Sequence, residues 1–132
     1  MTRPGGEWTP ARAWTVEDIG NRPLTINQVT KMHRLKWAAH TADARARWHW
    51  LIRHAKVPPL ERVRVVAVPL HRDRRSPQDV AACAPEAKPA IDGLVDAGVF
   101  PDDDATHVVA VEFRPPDVCG RDGMQIMIVG RP

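Results

Sequence analysis

No stretch of this 132-residue chain approaches the ~18 consecutive apolar residues that a membrane-spanning helix needs, so a membrane span is excluded. The opening MTRPGGEWTPARAW lacks a continuous apolar run; no secretory signal is expected there, and the cytoplasm is the expected compartment. Cysteine is scarce: Cys83 and Cys119 stand 36 positions apart with no CxxC pair, which argues against a zinc site and a disulfide framework and for free thiols. The six His form neither HxH nor HExxH, and GxSxG, P-loop and GxGxxG motifs are all missing. Thirteen Pro and eight Gly are scattered without a repeat, which rules out collagen-like and low-complexity chains. The length itself allows one domain with one modest core.

Charge is abundant and unevenly placed. Residues 1 to 75 hold 15 Lys or Arg against 6 Asp or Glu, a balance of +9, whereas residues 76 to 132 hold 4 against 10, a balance of −6. Fifteen of the 19 cations are Arg, whose planar fork grips phosphate at two points. A basic half of this kind suggests a polyanion partner, since each cation set against a phosphate releases condensed counterions.

Along the chain, residues 1–22 read as an N-terminal extension holding at most a short strand from Ala13 to Ile19, and residues 23–132 as the domain proper. From Val29 to Lys56 there is neither Gly nor Pro, which predicts one long helix, or two with a break near Thr41, ended by Pro58 and Pro59. Ala42, Ala44 or Ala46, Trp48, Leu51, Ile52 and Ala55 give it an apolar stripe, with Arg45, Arg47 and Arg53 near the opposite face. Arg62 to Leu70 alternates Arg with Val and predicts a strand with one wet side, followed by a polar run from His71 to Gln78. Pro85 to Ala97 predicts a second helix, with Pro85 in its first turn and Gly98 past its end. Thr106 to Arg114 and Met124 to Val129 predict two strands joined as a hairpin. The expected fold class is a small α/β (α+β) domain with a mixed sheet packed by two main helices.

Two features carry chemistry. Asp102, Asp103 and Asp104 form an acidic triplet between a helix and a strand; three adjacent carboxylates repel one another, and a hard divalent cation would compensate them. The competing reading is an ordinary solvated turn. Asp79 lies just ahead of a helix bearing Lys88 and Asp92, so strand end, helix start and triplet are expected to converge on one edge of the sheet. Carboxylates around a metal with a Lys beside them suit phosphodiester hydrolysis. Spacing alone favours the competing reading of Lys88 as an exposed helix residue paired with Asp92 or Glu86. Trp37, Trp48 and Trp50 offer planes on which bases stack, although core packing is favoured for Trp48.

From Pro23 to about Val129 these motifs, in order, resemble the RusA family of Holliday junction resolvases. Pro23-Leu-Thr-Ile-Asn27 is similar to the family's opening segment, and Val63 to Leu70 with His71-Arg-Asp-Arg-Arg75 is similar to its strand and Arg-rich loop. The most specific stretch is Lys88-Pro-Ala-Ile-Asp92-Gly-Leu-Val-Asp-Ala-Gly98 followed by Asp102-Asp-Asp104 and Val108. The resemblance implies a homodimeric, Mg²⁺-dependent (or Mn²⁺-dependent) endonuclease, often prophage-encoded, that nicks four-way DNA junctions symmetrically in recombination and repair. It implies Asp79, Lys88 and Asp103 as catalytic residues. Asp79, Asp102, Asp103 and Asp104 would be metal ligands, and Asn27, Arg45, Arg47, Arg53, Arg72, Arg74 and Arg75 would contact DNA. Where the family shows Asp-x-Asp-Asn, this chain has Asp79-Val80-Ala81-Ala82. A junction-binding protein without catalysis, or a general basic nucleic-acid-binding protein, is the alternative.

Overall fold

The nine residues Val63–His71 include four valines and a leucine, and they form a central strand of the sheet. In the computed structural model, which describes residues 11–74 and 78–132, the elements run β1 (Arg12–Ile19), α1 (Ile26–Thr30), α2 (Arg34–His54), β2 (Val63–His71), α3 (Ala84–Asp96), β3 (Val108–Phe113), β4 (Asp117–Val118) and β5 (Gly123–Gly130). The sheet order is β1-β5-β2-β3, with β4 paired to the end of β2. β1 and β5 are antiparallel, as are β5 and β2, while β3 and β4 run parallel to β2. The mixed α/β architecture read from the sequence is therefore present.

Four expectations about its parts are corrected. β2 does not have one wet side: every residue in it except Arg64 is buried, because it is bonded on both edges and carries apolar residues on both faces. Val63 and Val65 join the main core, while Val66, Val68 and Leu70, on the opposite pleat face, form a second cluster with Met127. The predicted hairpin does not form, since β2 lies between β3 and β5. α3 supplies the crossover that a parallel β2–β3 pair requires. The short strand expected from Ala13 to Ile19 forms as β1, but it belongs to the sheet and not to a separate extension: it pairs with β5 from Arg12↔Gly130 to Ile19↔Gly123, and Val16 enters the core with Trp14 packed against it. Trp8 lies outside the described residues.

The helical region breaks at 31–33, not at Thr41. Thr25 caps α1 through a capping box with Gln28, and His33, with extended backbone, caps α2 by accepting from the Leu35 N–H at 3.1 Å. The Thr41 hydroxyl donates to the Ala38 carbonyl within the helix, so it has no need to end it. α2 buries Ala44, Trp48 and Ile52, while Ala42 and Ala46 stay exposed. α3 crosses α2 at Gly93, where a Cβ would come within 2.7 Å of the Trp48 Cβ; only a residue without one permits that approach. Gly98, at φ +80°, ends α3 as expected. Cys83 is buried, Cys119 is exposed, and both are free thiols.

Candidate functional site

The acidic triplet divides into separate jobs. Val99 and Phe100 are buried, and the Val99 N–H and carbonyl bond Leu94 and Leu60, which turns the chain back after α3. In the turn that follows, Asp102 Oδ1 accepts from the Asp103 N–H at 2.8 Å and Asp104 Oδ1 accepts from the Thr106 N–H at 2.9 Å. These two carboxylates shape the turn. Asp103 alone reaches back to α3, where its Oδ2 accepts from the Lys88 ammonium. One helical turn along, Asp92 Oδ1 lies 3.0 Å from the same Nζ. Lys88 therefore stands between two carboxylates that are 11 residues apart in the chain.

The neighbouring helix extends this group. Arg45 of α2 donates through Nε and Nη2 to the two oxygens of Asp96, at 2.6 and 2.7 Å, and its Nη1 lies 4.0 Å from Asp92. Arg45, Lys88 and Asp92 line a groove of about 540 Å³ between α2 and α3. The electrostatics follow the contacts. The hydrogen bond from Lys88 holds the Asp103 carboxyl below the usual carboxylate range, and Asp103 in turn pushes the Lys88 ammonium up. Arg45 likewise lowers Asp96, and Asp96 raises Arg45. At neutral pH Lys88 is a charged donor and cannot serve as a base.

Asp79, expected beside the triplet, lies exposed in the turn before α3; its carbonyl accepts from the Ala82 N–H, and the ion pairs of the groove do not include its carboxylate. Among the described residues no group of three or more His, Cys, Asp or Glu is placed to hold a metal ion, so the expected ligand set of Asp79 with Asp102, Asp103 and Asp104 does not come together. What does converge is Asp92 with Asp103, on a point that a cation already occupies. Mg²⁺ uses one or two protein carboxylates and completes its shell with water and phosphate, a requirement this pair meets.

The expected DNA contacts separate in the same way. Arg45 is engaged by Asp96, and Arg47 donates through Nε to Asp18 at 3.2 Å. Arg53, in the last turn of α2, and Arg74 are exposed and enter no ion pair among the described residues. Arg72 is exposed, its backbone N–H held by Asp122; Asn27 is exposed on α1; Arg75 lies outside the described residues. Glu86 does not pair with Lys88. Its buried carboxylate accepts from the Leu24 N–H at 3.1 Å and lies 2.7 Å from His40 Nε2, beside a cavity of about 150 Å³ that Arg47 and Asp18 also line. The sequence signal for Asp92 was its four-residue spacing from Lys88; nothing local pointed to Asp96 or to the His40–Glu86 pair.

No protein-family model matches the chain, and no curated protein matches it.

Proposed function

We propose that this protein is a divalent-metal-dependent endonuclease of the RusA type, which cuts branched DNA by hydrolysing phosphodiesters at matching positions in a four-way junction. The observation that carries the reading is the convergence of Asp92 and Asp103 on Lys88 at the mouth of an open groove. Asp92 and Asp103 are the carboxylates that would hold Mg²⁺ or Mn²⁺, which when bound polarises the phosphate and lowers the pKa of a water. Lys88, 62% exposed, supplies a mobile positive charge whose ammonium donates to a non-bridging phosphate oxygen as charge builds there. Asp102 and Asp104 fix the turn that carries Asp103, and Asp96 holds Arg45 at the groove wall. A junction with two-fold symmetry needs two cuts, and a C₂ homodimer presents two identical sites.

A synthetic four-way junction incubated with pure protein, with and without Mg²⁺ or Mn²⁺, tests this directly. Metal-dependent paired nicks are expected, lost by about 100-fold or more in Lys88→Ala, as when one charge-stabilising donor is removed. Asp103→Asn should lose them too. An intact junction with both metals removes the proposal.

A second reading keeps junction binding without catalysis. It is favoured by Asp79 joining no group of three or more potential metal ligands among the described residues, and by Ala81 and Ala82, which follow it and offer no further ligand. The same gel separates the two, since this reading expects a shifted but uncut junction.

A further inference from the structure

The C-terminal half of α2 carries a feature that the groove chemistry does not use. Trp50 is 63% exposed, although it sits two residues from Trp48, the helix's main core anchor. Its indole is stacked on the His54 ring, one turn along, with centroids 4.8 Å apart and planes within 7°. An exposed Trp normally costs water contact with a large apolar plane; here the helix also fixes its orientation. The ring borders two grooves, one of about 540 Å³ with His49, Arg53 and His54, the other of about 460 Å³ and mainly apolar, with Arg47 and Leu51. His49 lines the first, and its Nε2 is buried without a hydrogen-bond partner among the described residues.

Charge decides what such a plane would receive. Arg47 and Arg53 lie three residues to either side of Trp50, and Lys56 is exposed just past the helix end. Arg47 uses only its Nε on Asp18, and Arg53 is in no ion pair among the described residues. A flat aromatic surface between cations spaced along one helix matches a chain that alternates planes with anions, which is a nucleic-acid strand whose bases are unpaired. Paired bases are already stacked and present no open face.

We propose that the Trp50–His54 stack is a platform for an unpaired nucleobase, with Arg47 and Arg53 on the flanking phosphates. This rests on the nuclease reading only for its setting: a branch point interrupts the continuous stacking of a duplex, so bases there unpair more readily than in a linear duplex.

The test is binding of a single-stranded oligonucleotide carrying 2-aminopurine, followed by fluorescence in EDTA so that cleavage does not contribute. Trp50→Ala is expected to weaken binding about 30-fold, the middle of the range for one base stacked on an aromatic side chain. Trp50→Phe should retain most of the affinity, and a linear duplex should bind Trp50→Ala and the unmodified protein equally. Arg53→Gln should lower the slope of log affinity against log salt by about 0.7, one single-strand phosphate contact. Because Trp50 is exposed, the thermal midpoint of Trp50→Ala should match the unmodified protein. Equal single-strand affinity with and without Trp50, or no single-strand binding by the unmodified protein, overturns the platform. Trp50-dependent binding in a protein that never cuts junctions removes the nuclease reading alone.

Discussion

The middle and the C-terminal end of helix α2 carry similar residues and behave as opposites. Toward its middle, Arg45 is bound by Asp96 and touches Asp92, so its charge is spent inside the molecule. Toward its C-terminus, Arg53 is free of ion pairs among the described residues, and the Trp50 ring stands exposed beside His54. The difference shows that a surplus of basic residues does not measure a basic surface. The first half of the chain carries +9 and the second −6, and the fold sets one against the other. Arg22 pairs with Asp122, Arg45 with Asp96 and Arg64 with Glu112, each across the boundary between the halves. What is left to meet a polyanion is a smaller set, and part of it lies on the last turns of α2.

The largest effect that would sharpen the comparison separates two tryptophans two residues apart. Trp48 is 2% exposed and is pressed against Gly93 at the α2–α3 crossing. Trp48→Ala should cost about 3 to 5 kcal/mol in urea unfolding, from lost burial and the cavity left behind. Trp50→Ala, by contrast, should fall within about 0.5 kcal/mol of the unmodified protein, as exposed substitutions usually do. Comparable losses from both would mean that Trp50 is part of the core and that the C-terminal end of the helix has no exposed aromatic surface of its own.

A smaller effect tests whether the middle of α2 is held by its ion pair. Arg45 grips Asp96 with both donors, yet both side chains are partly exposed, so a coupling of about 0.5 to 1 kcal/mol is expected from a double-mutant cycle of Arg45→Gln and Asp96→Asn. Zero coupling would leave Arg45 available to an outside phosphate, and the contrast with Arg53 would vanish. If junction binding is measured on the same variants, Arg53→Gln should weaken it more than Arg45→Gln does.

Much of this arrangement could be read from the chain, and the limits have physical causes. α3 was legible from Pro85 and Gly98, because a proline in the first turn costs no helical hydrogen bond and a glycine suits the left-handed residue past the end, although Pro89 also lies inside the helix. β2 was legible from its β-branched residues, but not its burial on both sides, since the Arg64 alternation describes only one of nine positions. The hairpin expectation failed because short spacing favours pairing of neighbours, while the strand that both neighbours prefer is the apolar one between them. In the site, Lys88 and Asp92 were legible together from helical spacing. Asp103 was legible as an acid, but its contact with Lys88 depends on a turn anchored by Val99 and Phe100. The partners of Arg45 and Arg47, 51 and 29 residues away in the chain, leave no local trace.

The smallest effect concerns pH, and it separates a cation paired with an acid from one that is not. Asp103 is held below the ordinary carboxylate range by Lys88, and Asp96 by Arg45. A depressed carboxylate favours the folded state whenever it is ionised, so its contribution is complete above the unfolded value of about 3.9 and is lost as pH falls through the lower folded value. Lys88 is raised, so its share is present below the unfolded lysine value of about 10.4 and disappears only as pH rises past the folded one. Between those limits the pair contributes a constant amount, and because Lys88 is mostly exposed this amount is below about 1 kcal/mol. Lys88→Met should therefore flatten the loss of urea stability below about pH 4 and leave the neutral plateau almost level. Arg53→Gln, which removes a cation with no acid beside it, should leave the acid limb unchanged. An acid limb that is the same in Lys88→Met as in the unmodified protein would show that Asp103 does not depend on Lys88, and the contact on which the proposed site rests would carry no energy.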